Sequence, residues 1–117
     1  MLSKKYRFHS RGGVNYTYKH GKTIRTPNVS LVYNQNEKGF ERFAVVVSKK
    51  TLKSAVGRNR IRRRVYEAIR LELPNFRLPM DFIFVIYNKS VKDQPFSELR
   101  KTIKNLLEEA KTQPPQP

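Results

Sequence analysis

The chain contains no cysteine, which removes a disulfide framework and any thiolate metal site and fits a reducing compartment. No apolar run approaches the roughly 20 residues of a membrane-spanning helix. The N-terminal residues are basic but lack the apolar stretch of a secretory leader, so the expected location is the cytoplasm. Acid is also scarce. Nine Asp and Glu face 25 Lys and Arg, for a formal charge of +16. No acid precedes Glu37, and none lies between Glu41 and Glu67. Such an excess repels itself unless a polyanion neutralises it. Nucleic acid is the leading partner, because neutralising phosphates releases condensed counterions. An anionic membrane would call for a broad Leu, Phe and Trp face on a basic helix, and the most basic segment has none.

The chain does have the means to fold. Its 117 residues are 38% apolar and 11% aromatic, enough for one ordinary domain. We expect that domain over 1–111, followed by a disordered Pro/Gln tail at 112–117. Residues 1–13 read as an extended or irregular lead-in, because Gly12-Gly13 starts a helix poorly. Residues 14–20 read as a short helix ending at Gly21. VSLVYNQ (29–35) and FERFAVVVS (40–48) read as strands, and the tight link between them suggests an antiparallel hairpin. AVVV is apolar on both faces, which suits a central strand. Ser54 is a candidate N-cap for a helix that Pro74 terminates. Residues 74–80 read as a loop. DFIFVIYN (81–88) is a third strand, also central, and a helix follows at about 96–111. The expected fold is α+β: an α/β sandwich with a roughly four-stranded, mostly antiparallel sheet and helices packed on it. That count leaves room for one more short strand near the N-terminus.

The basic charge concentrates in SAVGRNRIRRRVYEAIR (54–70), where five arginines fall between Arg58 and Arg64. On a helical wheel at about 100° per residue, Ile61, Val65, Ala68 and Ile69 share one apolar stripe. Asn59, Arg60, Arg63, Tyr66, Glu67 and Arg70 fall on the far side, and Arg62 and Arg64 flank the stripe. Arg58 projects toward the apolar side from the first turn. A solvated charged helix would carry i, i+4 acid–base pairs, yet no acid exists between 54 and 66. Lys49, Lys50 and Lys53 precede the helix N-terminus, where free N–H groups and the dipole favour anions. Guanidinium forks bridge phosphate oxygens or stack on bases, which suits folded RNA. Tyr16, Tyr18, Tyr33, Phe43, Phe82, Phe84 and Tyr87 lie on or near the sheet and first helix. They divide between core and a groove where unpaired bases stack. A ribosomal or other structured-RNA-binding module fits the charge equally. A protein-only nuclease would need His9 and His20 as acid and base, and nothing in the sequence orients either. No carboxylate pair, phosphate loop or metal-ligand spacing is present.

VSKKTLKSAVGRNRIRRRVYEAIR (47–70) resembles the signature of the bacterial ribonuclease P protein component. In that family a Ser/Ala-Lys-Lys segment ends a strand. The following helix opens Ala-x-x-Arg-Asn-Arg-x-Lys/Arg-Arg and often continues Arg-Glu. The matching positions are Lys49, Lys50, Ala55, Arg58, Asn59, Arg60, Arg62, Arg63 and Glu67. Tyr18-Lys19-His20-Gly21 is similar to the family's aromatic-Lys-x-Gly ending of the first helix. The chain departs from the pattern at Tyr66, where arginine is usual, and at Arg64, where an apolar residue is common. Gly12, Gly13 and Val14 replace a polar start and a phenylalanine.

The resemblance implies a left-handed βαβ crossover and a protein subunit that joins a catalytic RNA to remove the 5′ leader of precursor tRNA. The RNA would hold most of the Mg²⁺, in a two-metal hydrolysis, and the protein would supply no catalytic group. It implies docking on that RNA by Lys49, Lys50, Lys53, Arg58, Asn59, Arg60, Arg62 and Arg63. Val14 and Tyr18 would face the leader in a cleft between first helix and sheet, with Tyr33 beside them. The protein would be a monomer in a 1:1 ribonucleoprotein, away from membranes.

Overall fold

The computed structural model describes residues 2–8, 11–36, 38–75 and 78–113. Helix α1 (Arg11–His20) leads into strand β1 (Lys22–Arg25) and β2 (Val29–Gln35). Strand β3 (Arg42–Val47), helix α2 (Ala55–Glu72), strand β4 (Met80–Ile86) and helix α3 (Phe96–Thr112) follow. The four strands form one mixed sheet in the order β1-β2-β4-β3. β1 and β4 each pair antiparallel with β2, and β3 pairs parallel with β4.

The sheet corrects one expectation. β2 and β3 run in opposite directions, as a hairpin would, but β4 lies between them. The link over 36–41 therefore spans two strand spacings of about 4.8 Å each, well within the reach of six residues. Asn36 organises the link: its Nδ2 donates to Phe40 O at 3.1 Å and to Asp81 Oδ1 at 2.8 Å. Gly39 takes a left-handed φ of 79° there. β4 is the central strand, as its continuous apolar run suggested. β3, expected to be central too, is an edge strand. Its outer edge is met near its start by Arg7, which bridges Phe43 in parallel.

Period-two alternation gives the sheet two apolar faces. Leu31 and Tyr33, Phe43 and Val45, and Phe82 and Phe84 pack with the apolar stripes of α2 and α3 in the larger core. The α2 stripe of Ile61, Val65, Ala68 and Ile69 is fully buried, as the wheel required. Val32, Ala44 and Ile83 point the other way, toward Phe8 and Val14. On that face α1 contacts β2 and β4. Helices thus cover both faces, α1 on one and α2 with α3 on the other.

Helix ends follow local chemistry. Ser54 Oγ accepts from Gly57 N at 3.1 Å and caps α2. α1 starts at Arg11, so Gly12 and Gly13 lie inside it rather than in a lead-in. Docking of Val14 and the buried Thr17 on the sheet outweighs the roughly 1 kcal/mol that a helical glycine costs. Before it, Lys4–Tyr6 makes one 3-10 turn. α3 includes Thr112, and Gln113 O accepts from the Tyr33 hydroxyl at 2.6 Å. The start of the expected tail is therefore part of the fold, and 114–117 lie outside the described residues. No helix among the described residues is long and apolar enough to cross a membrane.

Gly21 closes α1 where backbones crowd. A Cβ there would lie 2.5 Å from the carbonyl oxygens of both Thr17 and Tyr33. Gly21→Ala should therefore lower unfolding free energy by about 2 kcal/mol or more, measured by urea denaturation. An unchanged midpoint would mean that α1 does not press on β2 as tightly as this contact requires.

Candidate nucleic-acid interface

The basic surface starts at the turn after β3. Thr51 N donates to Ser48 O at 3.1 Å and Thr51 Oγ1 to Ile86 O at 3.3 Å. This pins the turn to the sheet and leaves Lys49, Lys50 and Lys53 exposed. Arg58 turns back and donates to Leu52 O at 2.9 Å and Lys53 O at 2.7 Å. It thus braces the lysine turn against the first turn of α2. Asn59 Oδ1 accepts from Arg62 at 2.7 Å, which fixes one fork beside another residue of the same face. Arg63 is exposed and makes no side-chain bond among the described residues. Of the eight expected RNA-docking residues, Lys49, Lys50, Lys53, Asn59, Arg60 and Arg63 are exposed, and Arg58 and Arg62 are half-buried. An exposed apolar residue that the sequence did not single out, Val56, stands among them at 76% exposure. Its place one turn before Arg60, off the buried stripe, was readable from the wheel.

Like Arg58, Arg60 and Arg64 serve the fold as well. Arg60 Nε donates to Lys92 O at 3.2 Å. Arg64 donates to Val91 O at 3.0 Å, to Lys92 O at 2.5 Å and to Gln94 O. This guanidinium caps the carbonyls of the 3-10 turn over Lys89–Lys92 and ties it to α2. The acids of α2 are spent inside the protein. Glu67 pairs with Arg70, which holds its carboxyl below the usual carboxylate range, and Glu72 Oε1 accepts from Arg100 at 3.2 Å. The first half of α2 has no acid, and its Arg60 and Arg63 are exposed.

The second feature is a groove of about 240 Å³ beside α1, lined by Phe8, Val14, Asn15, Ala44, Val45, Val46 and Tyr66. Val14, Val46 and Val85 are half-buried on this face, an apolar surface open enough to take a flat ring. Arg42 backs Phe8: it pairs with Asp81 through two 2.8 Å bonds and lies over the Phe8 ring at 4.8 Å. Asp81 raises the Arg42 pKa, so this cation stays committed to its partner. Tyr18, one turn on from Val14, is 42% exposed. Burial, and then the nearby Tyr87, raise its hydroxyl pKa, so it is neutral at physiological pH.

Two expectations fail here. Tyr33 does not line the groove. It is fully buried on the α2–α3 face, stacked on Phe82 at 6.1 Å. It shares the strand parity of Leu31, which points away from α1. Tyr66 is not on the solvent side of α2. It is 9% exposed, because β3 and the N-terminal segment wrap that flank. Of the two histidines, His9 lies outside the described residues. His20 is exposed and packs against Tyr16, the rings tilted by 36° with centroids 4.3 Å apart, an aromatic contact rather than an acid–base arrangement. Among the described residues no three His, Asp or Glu side chains gather as a metal site.

Known proteins resemble this chain in sequence and in fold. A family model described as Ribonuclease P matches residues 2–111. The ribonuclease P protein component of Clostridioides difficile is 38% identical over 90 residues, 77% of this chain and 78% of that one. That of Finegoldia magna is 32% identical over 109 residues, 93% of this chain and 94% of the relative. Among solved structures, a mutant RNase P protein of Staphylococcus aureus superposes with a TM-score of 0.80 at 25% identity, over 92% of this chain and 90% of that one. The Thermotoga maritima RNase P protein shares the fold with a TM-score of 0.79 at 23% identity, covering 88% of this chain and 96% of that one.

Arg63 and Arg64 are neighbours with opposite expected behaviour. Arg64→Ala should cost about 2–3 kcal/mol of stability through its charged hydrogen bonds. Arg63→Ala should leave stability within about 0.5 kcal/mol and lower the salt slope of RNA binding by about 0.9. Denaturation and filter binding on the same two variants check both; matched behaviour would refute the division.

Proposed function

The chain belongs to the ribonuclease P protein component family, the protein subunit of a ribonucleoprotein endoribonuclease in tRNA 5′ processing, and we propose how its surfaces divide that work. Lys49, Lys50, Lys53, Arg58, Asn59, Arg60, Arg62 and Arg63 dock on the catalytic RNA. The groove beside α1 takes the single-stranded leader of precursor tRNA, with Val14 and Tyr18 against its bases. The observation that carries this reading is the separation of the two surfaces. The acid-free cationic half of α2 and the half-open apolar face under α1 lie on opposite sides of one sheet. One partner needs many phosphate contacts, and the other needs a place for unpaired bases.

The protein's contribution is then electrostatic and positional. Guanidinium forks neutralise phosphates where folded RNA crowds them. The neutral Tyr18 ring can stack on a base without selecting its identity. Bound Mg²⁺, held mainly by the RNA, supplies the activated water for phosphodiester hydrolysis. The protein acts as one copy per RNA, in the cytoplasm. The single domain expected over 1–111 extends to the end of α3 and its cap at Gln113.

Reconstitution tests the whole reading. Adding the protein to a bacterial ribonuclease P RNA at low Mg²⁺ should stimulate leader removal, and no stimulation would refute it. Tyr18→Ala should weaken binding of leader-bearing precursor by roughly 1–3 kcal/mol and leave mature tRNA unaffected. Equal loss with both RNAs would point to a damaged fold instead.

A further inference from the structure

Tyr66 and Arg7 meet at the open edge of β3. The N-terminal segment covers the start of that edge, where Phe8 N donates to Phe43 O at 2.9 Å. The two residues diverge from there. Phe8 enters the small core on the α1 side, and Arg7 reaches toward α2, its guanidinium carbon 5.7 Å from the centroid of the Tyr66 ring. Beyond Phe43 the groove runs along Ala44, Val45 and Val46 and ends on Tyr66. It therefore connects the α1 side of the sheet with the arginine helix across the strand edge.

The charges at this crossing are unbalanced. Arg7 Nε is buried without a hydrogen-bond partner, and Arg7 has no ion pair among the described residues. Glu67, the next residue along α2, is paired with Arg70. Burial raises the Tyr66 hydroxyl pKa, and a backbone hydrogen bond from Val45 and the charges of Arg7 and Arg62 act against that rise. A guanidinium with an unpartnered buried nitrogen thus lies against one buried ring. An aromatic face holds a guanidinium in place at little entropic cost while leaving its donors available. What such a site lacks is an anion with several acceptor oxygens.

We propose that Arg7, held over Tyr66, binds one phosphate of the leader strand where that strand crosses the edge of β3 from the groove toward α2. This rests on the reading that the groove carries the leader. It adds a phosphate contact from the N-terminal segment and gives Tyr66 the role of a positioning residue.

The test uses the full chain with a labelled single-stranded RNA, and then the reconstituted complex with precursor and mature tRNA. Arg7→Gln should lower the slope of log K against log salt by about 0.7, the loss of one single-strand phosphate contact. Tyr66→Phe, which keeps the ring, should match wild type, and Tyr66→Leu should match Arg7→Gln. Arg7→Lys should restore the slope. An unmoved slope for Arg7→Gln overturns the site. Should that variant fail to fold by circular dichroism, Tyr66→Leu must show the same loss, and an unmoved slope there overturns it equally. In the complex, loss confined to leader-bearing precursor supports the assignment, and an equal loss with mature tRNA overturns it in favour of the catalytic RNA. Wild-type stimulation of leader removal is measured alongside. Normal stimulation with unmoved variants removes this site alone, whereas absent stimulation removes the reading beneath it as well.

Discussion

The insertion of β4 between β2 and β3 is the constraint on which the rest of the molecule depends. β4 is apolar on both faces: Phe82 and Phe84 point one way, Ile83 and Val85 the other. A strand of that kind needs two neighbours and a cover on each side. Because β3 follows the edge and α2 returns the chain to β4, the crossover lays α2 on one face, where α3 joins it. The other face falls to α1, which is short and covers β2 and β4. The β3 side of that face stays half open. The groove is thus a consequence of one ten-residue helix covering a four-stranded sheet.

Charge is sorted by the same layout. Two of the buried acids are committed to nearby cations or amides: Asp81 to Arg42 and Asn36, Glu72 to Arg100. Arginines whose partners lie within the protein, Arg64 above all, stitch elements together through carbonyls. What remains unneutralised is concentrated on the first half of α2 and the lysine turn before it. A fold carrying +16 tolerates this because the cations are spread along a solvated face, where screening limits repulsion. The same spread suits a polyanion that binds along the face rather than at a point.

How much of this was legible in the sequence depends on the range of the interaction. The cap at Ser54, the stripe from Ile61 to Ile69 and the limits of α2 and α3 are set within one or two turns, and they stand as read. The Arg-Asn-Arg pattern carried the family, because its spacing is specific. Strand adjacency is set by contacts far apart in sequence. A six-residue link is compatible with pairing β2 to β3 directly or with spanning β4, and nothing local chooses. Tyr33 illustrates the same limit. Its parity with Leu31 was visible, but which parity faces α1 is fixed only when the layers assemble. Tyr66 lies 140° from Ile61 on a wheel of about 100° per residue, outside any single apolar stripe. It is buried because a second neighbour, the N-terminal segment, packs on that flank. Gly12-Gly13 misled for a related reason: intrinsic propensity lost to docking on the sheet.

The edge of β3 joins these threads. Exposed strand edges invite pairing with other chains, and proteins blunt them with charge or covering segments. Here Arg7 and Phe8 cover the first part, and Tyr66 lines the groove with Val45 and Val46 further along. A cover made of aliphatic residues would protect the edge and do nothing else. This one uses an arginine and a tyrosine, so the edge is guarded by groups that also attract phosphate and present a ring. Protection against self-association and attraction for RNA therefore draw on the same side chains. That economy is open to a protein whose normal partner is a polyanion, because the guarding charge is then neutralised by the ligand and not by an acid of its own.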